Sequence, residues 1–118
     1  MTAVDVRIQL AAEAEGDLLA LYNHRQKQRG TEGQDGADAL LNMLYEAMEG
    51  LAQFPLRGPI VAELEQLGMT DWRQLSVWPY RIIYTVDGDV VTIAVVADGR
   101  RDFAALLEQR LLQRLPRS

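Results

Sequence analysis

The stretch Trp72-Arg73-Gln74-Leu75-Ser76-Val77-Trp78-Pro79-Tyr80-Arg81-Ile82-Ile83-Tyr84-Thr85-Val86-Asp87-Gly88-Asp89-Val90-Val91-Thr92-Ile93-Ala94-Val95-Val96-Ala97 decides the fold. It is dense in β-branched and aromatic residues and broken only at Pro79 and at Asp87-Gly88. Such punctuation predicts three successive strands, Trp72 to Trp78, Tyr80 to Val86 and Asp89 to Ala97. Asp-Gly between two β-rich runs predicts a tight hairpin of type I′, because glycine tolerates the positive φ that turn needs. Asp98-Gly99 ends the meander.

Upstream, Val4, Val6, Ile8 and Leu10 alternate with Asp5, Arg7 and Gln9. That period of two predicts a half-buried strand, which must join the same sheet to cover its apolar side. From Ala11 to Arg29 the apolar residues Ala14, Leu18, Leu21 and Tyr22 recur at helical spacing, with Glu13, Glu15 and Asp17 near the N-terminal end. Gly30 to Gly36 is a polar, glycine-rich loop. A second helix runs from about Ala37 to Phe54 on a stripe of Leu40, Leu44, Ala47, Met48 and Leu51, and Pro55 closes it. Residues 55–71 read as irregular, with a short helical turn near Ala62–Leu67. A last helix spans Arg101 to about Leu115, with Phe103, Leu107 and Leu111 spaced by four. The expected architecture is α+β: an N-terminal strand, an αα-hairpin, a three-stranded antiparallel meander and a C-terminal helix, with helices packed on one sheet face. The expected organisation is a single domain over residues 1–118.

Composition narrows the chemistry. The 118 residues contain no cysteine, which excludes disulfides, thiolate catalysis and cysteine-based metal sites. The N-terminus lacks a basic start followed by an apolar run, and no stretch is apolar for long enough to span a bilayer, so a cytoplasmic protein is expected. Net charge is −5, divided unevenly: residues 1–72 carry 5 basic and 12 acidic side chains, residues 73–118 carry 7 basic and 5 acidic. His24 is the only histidine and reads as a helix-surface residue; the only serines are Ser76 and Ser118, an unsuitable basis for a triad. Glu13 and Asp17 share a helical face but lack a third ligand, so they read as a solvated face, and no metal or other cofactor is expected. The glycines at 30, 33 and 36 match no phosphate-binding loop.

Arginine stands out, with eleven against one lysine. Arg73 and Arg81 fall in the predicted sheet, and Arg100 and Arg101 at its exit. Their guanidinium groups suit bidentate contact with carboxylate or phosphate, and equally an internal acidic partner.

Five segments together resemble the toxins of the RelE/ParE superfamily, and the ParE-like plasmid-stabilisation branch best. They are Ala12-Glu13-Ala14-Glu15-Gly16-Asp17-Leu18, Leu51-Ala52-Gln53-Phe54-Pro55-Leu56-Arg57-Gly58, Trp72-Arg73-Gln74-Leu75, Pro79-Tyr80-Arg81-Ile82-Ile83-Tyr84 and Gly99-Arg100-Arg101-Asp102. They follow the family's order over about residues 5–103. The resemblance implies the toxin of a type II toxin–antitoxin module with a cognate antitoxin as partner. For the ParE-like branch it implies DNA gyrase as target, reached by protein binding alone. For the RelE-like branch it implies ribosome-dependent cleavage of messenger RNA. Arg81 matches that branch's strand arginine, but Ala97, Asp98, Gly99 and Arg100 stand where a catalytic His, Tyr or Lys is expected, so no catalytic set transfers. The acidic first 72 residues also depart from basic relatives. An inactive or repurposed scaffold is the third reading, since one fold hosts several activities. On the gyrase reading, Arg73, Arg81, Arg100, Arg101, Arg110 and Arg114 are the candidate target contacts. Leu18, Tyr22, Leu40, Leu44, Phe103 and Leu107 are the candidate antitoxin contacts. The apolar face of the last helix, with Phe103, Leu106, Leu107 and Leu111, suits either internal packing or a homodimer interface.

Overall fold

A computed structural model describes residues 6–111. Along the chain lie β1 (Arg7–Leu10), α1 (Ala12–Arg29), α2 (Ala37–Glu49), a 3-10 turn at Gly50–Ala52, α3 (Ala62–Glu65), β2 (Trp72–Val77), β3 (Tyr80–Asp87), β4 (Val90–Asp98) and α4 (Phe103–Arg110). The four strands form one sheet in the order β1-β4-β3-β2. β2, β3 and β4 form the expected antiparallel meander, and β1 joins its edge parallel to β4, with Leu10 opposite Ile93.

The second hairpin turn differs from the expected type. Asp87 pairs with Val90, so the two turn residues are Gly88 and Asp89, and only Gly88 has positive φ, at 60°. That is the type II′ pattern, with glycine at the first central position, rather than type I′.

Helices cover both faces of the sheet rather than one. On one face Ala14 and Leu18 of α1 and Leu40, Leu44 and Met48 of α2 pack with Leu51 against Leu75, Ile82, Tyr84, Val91, Ile93 and Val96. On the other, Val61 and Leu64 around α3 and Phe103, Leu107 and Leu111 around α4 pack against Ile83, Val95 and Ala97. Consecutive residues Ile82, Ile83 and Tyr84 are all fully buried because each face has its own cover. Burying a leucine or isoleucine stabilises the fold by about 1.5–3 kcal/mol, so two thin cores share the load.

A β-bulge makes the two-sided core work. Ile83 pairs with Val95 and Tyr84 with Ile93, which leaves Ala94 without an opposite residue. The extra residue shifts the alternation of β4: Val91 and Ile93 face the helical hairpin, but Val95 turns to the α4 side and Val96 takes the hairpin side.

Candidate interaction surfaces

The bulge lies just beyond the end of β1, where the edge of β4 would otherwise be open. Asp17 on α1 accepts a hydrogen bond from the Val96 N–H at 3.0 Å. Arg110 on α4 donates to the Ala94 carbonyl at 3.0 Å and forks onto Asp17, with Nη1 to Oδ1 at 2.9 Å and Nη2 to Oδ2 at 3.0 Å. Glu13 stands 3.6 Å from the Arg110 Nε. The two carboxylates expected to form a solvated face therefore share an arginine. This clasp satisfies the edge groups left by the bulge and ties α1 to α4 across the sheet. Arg110, a candidate target contact by sequence, is spent inside the fold.

Arg81 rises from β3 toward α3 and α4. Its Nη1 and Nη2 bond both carboxylate oxygens of Glu63, at 2.8 and 2.9 Å. Its Nε donates to the Gln74 side-chain oxygen at 3.0 Å, and Nη2 also contacts that oxygen. The guanidinium lies over the Phe103 ring, 3.9 Å from its centroid, a cation–π arrangement. The Arg81 side chain is only 16% exposed. The hydrogen bond from Arg81, more than any other influence, holds the Glu63 carboxyl below its ordinary range, against the opposing effect of burial. Arg73 is occupied too: Nη1 donates to the carbonyls of Gly58 at 2.7 Å and Leu56 at 3.3 Å, fastening the loop after α2 to the edge of the sheet. Arg73 and Arg81 thus act as internal fasteners rather than exposed contacts.

The remaining arginines of the candidate set differ. Arg100 pairs with Asp98, Nη2 to Oδ2 at 2.6 Å, yet its side chain stays 64% exposed. Hydrogen bonding from Arg100, before any other cause, pushes the Asp98 carboxyl below its usual range and raises the Arg100 guanidinium in return. Asp98 therefore stays ionised and is no proton donor at neutral pH. Arg101 is exposed, and its backbone N–H donates to the Asp98 carbonyl at 3.2 Å. Asp102 caps α4 by accepting from the Ala105 N–H at 3.1 Å. Arg114 lies outside the described residues.

Most of the candidate antitoxin contacts are core residues. Leu40, Leu44, Phe103 and Leu107 are buried and offer no surface to a partner. Leu18 is buried as well, but it floors an open groove of about 290 Å³ between α1 and α2 whose walls are Glu15, Leu19, Tyr22, Leu41 and Tyr45. Leu19 is 62% exposed there. The Tyr22 hydroxyl donates to Asp38 at 2.8 Å; this hydrogen bond is the main reason its phenol is raised above the usual value. The packing of Phe103, Leu107 and Leu111 against the sheet is internal, as the first of the two roles considered for that helix requires.

Sequence reasoning did not single out Glu63, Gln74, Arg25 or Leu19. Arg25 bonds the Tyr80 hydroxyl at 3.1 Å and the Asp35 carbonyl at 3.2 Å. These are contacts across 10 to 55 residues of chain, which periodicity does not register. Leu19 was legible, as an apolar residue next to Leu18 and so off the buried stripe. Among the described residues no cluster of three or more His, Cys, Asp or Glu is placed to hold a metal ion. No helix among them is long and apolar enough to cross a membrane.

Solved structures share this architecture at low sequence identity. The chromosomal ParDE toxin–antitoxin system of Pseudomonas aeruginosa matches with a TM-score of 0.63 and 19% identity, covering 81% of this chain and 98% of that one. The toxin–antitoxin complex RelBE2 of Mycobacterium tuberculosis matches at 0.56 and 21%, covering 80% and 99%. A mutant of the Escherichia coli toxin RelE in the free state matches at 0.59 and 14%, covering 95% and 99%. No curated protein is a significant match to this chain. The fold is accordingly that of RelE/ParE-type toxins. Residues 8–103 match the family model of the ParE toxin of type II toxin–antitoxin systems, parDE, and the chain belongs to that family.

Proposed function

We propose that this protein is a ParE-like toxin that stabilises its plasmid or locus by inhibiting DNA gyrase in the cytoplasm, through binding and without chemistry of its own. The observation that carries this reading is the state of Arg81. A nuclease needs a strand guanidinium free to meet a phosphate, together with acid–base groups near it. Here Arg81 is saturated by Glu63, Gln74 and Phe103, and the neighbouring Asp98 is held ionised by Arg100. Exposed Arg100 and Arg101 remain as target contacts.

The cognate antitoxin supplies an amphipathic helix to the α1–α2 groove. Leu19, Leu41 and Tyr45 receive its apolar residues, and Glu15 at the rim favours a basic one.

Induction of the chain in a growing culture distinguishes the targets. Gyrase inhibition arrests growth with loss of negative supercoiling in a reporter plasmid and intact messenger RNA. Messenger RNA cut within translated codons, with supercoiling unchanged, would replace this reading with ribosome-dependent cleavage. Growth without arrest at high levels of folded protein would point to an inactive scaffold.

A further inference from the structure

The largest exposed apolar side chain belongs to Trp78, which is 80% exposed at the β2–β3 turn. Nothing in the core requires it there. Its backbone is nevertheless well fixed: Val77 pairs with Tyr80 across the turn, and the Gly99 N–H donates to the Pro79 carbonyl at 2.6 Å. That last bond joins the turn to the exit of β4, so Trp78, Arg100 and Arg101 share one end of the sheet. Asp98 opposite Tyr80 sets the register of the two segments. Gly99 packs closely on Arg81, where an added Cβ would lie 2.8 Å from the Arg81 Cδ. The Glu63–Arg81 pair therefore supports the exit from beneath.

We propose that Trp78, with Arg100 and Arg101, forms the hot spot by which this toxin grips an acidic surface of its target protein. The proposal deepens the reading given above and rests on its premise that the toxin acts by binding. Tryptophan and arginine are the residues most enriched where truncation costs binding most. A tryptophan held on a fixed turn loses little freedom on docking. The Arg100 side chain stays 64% exposed beside its Asp98 partner and Arg101 is exposed next to it, so two guanidinium groups are presented as donors to a carboxylate-bearing partner. A nucleic acid fits less well, because phosphate-driven binding draws on many cationic contacts and this end of the sheet offers two guanidinium groups.

The test uses purified full-length protein and the variants Trp78→Ala and Arg101→Glu, each first shown to keep the wild-type melting temperature. Affinity for purified gyrase and growth arrest on induction are both measured. The expected result is a loss of tenfold or more in affinity and relief of arrest with each variant. Full affinity and full arrest in both variants would overturn the proposal. Relief of arrest by both variants, when even the wild type leaves gyrase untouched, would support the surface and remove gyrase as the target. Salt-sensitive binding of a 12-nucleotide single strand, lost in Trp78→Ala, would overturn the protein partner in favour of nucleic acid. A wild-type chain that neither binds gyrase nor arrests growth would overturn both the surface and the reading beneath it.

Discussion

The Arg81 guanidinium meets the Glu63 carboxylate fork to fork, at 2.8 and 2.9 Å, while lying over the Phe103 ring. One side chain thereby joins β3, α3 and the start of α4 beneath the Gly99–Arg101 exit. If Arg81 is a positioning residue, Glu63→Gln and Arg81→Lys should weaken the toxin in the same direction. Both lose the charged fork, at about 1–2 kcal/mol of stability for a partly exposed pair. An Arg81 that served a phosphate would behave oppositely, since removing its carboxylate partner would free it. Thermal unfolding beside a growth-arrest assay reads both consequences.

Acid stability follows from the same pair. The Glu63 and Asp98 carboxyls sit below their ordinary values of 4.5 and 3.8. The unfolded chain therefore takes up protons first as pH falls. The stabilisation from these groups is complete above the ordinary values and is lost as pH drops through the lowered ones. Melting temperature should fall between roughly pH 5 and pH 2, and Glu63→Gln should flatten that limb. An unchanged acid limb in this variant would show that the pair contributes nothing.

Asp17 holds the edge of the sheet. Asp17→Ala removes the acceptor for the Val96 N–H and leaves Arg110 half-buried with Glu13 as its nearest remaining carboxylate. A cost of about 2–3 kcal/mol is expected. Arg110→Ala in the same background should add much less than it does alone, which a double-mutant cycle by urea unfolding measures.

Gly58 has no room for a side chain. Its N–H donates to the Tyr84 hydroxyl at 3.0 Å, and a Cβ would fall 2.7 Å from that hydroxyl and against the Gln74 backbone carbonyl. Gly58→Ala should cost about 2 kcal/mol or more by forcing the loop off β2. Tyr84→Phe, which keeps the ring, should cost about 1 kcal/mol. Chemical denaturation of the two variants checks the order.

The α1–α2 groove can be tested apart from stability. Leu19→Glu changes an exposed residue, so melting temperature should stay within a few degrees. Affinity for the antitoxin should drop at least tenfold, by titration with the purified partner, and co-expressed antitoxin should no longer restore growth. Leu44→Glu, in the core, should instead abolish folding.

The strands and helices were legible because their signals are local. Alternation at Val6 to Leu10, the hairpin at Asp87-Gly88-Asp89 and the helical spacing of Leu40, Leu44 and Met48 need no distant partner to be seen. The two-faced sheet is also written in the sequence, in the unbroken apolar runs Ile82-Ile83-Tyr84 and Val95-Val96-Ala97, whereas the strand, helical hairpin and meander order by itself implies one covered face. The roles of the arginines were illegible. Arg81 finds Glu63 across 18 residues and Arg110 finds Asp17 across 93, and a guanidinium in a strand looks the same whether it awaits a phosphate or a carboxylate. The bulge at Ala94, which decides what Asp17 and Arg110 do, leaves no mark of composition. Four of the candidate antitoxin contacts, Leu40, Leu44, Phe103 and Leu107, lie in the core for a related reason: helical stripes such as Leu40 and Leu44 report what is buried, and a partner meets what lies beside the stripe.

Gyrase supercoiling by the purified enzyme, with ATP and relaxed plasmid, is the decisive measurement. Adding the folded wild-type protein should abolish supercoiling and, after detergent and protease treatment, yield linear DNA. Unchanged supercoiling at large molar excess, with messenger RNA cut on ribosomes by the same preparation, would contradict a toxin that works by binding alone.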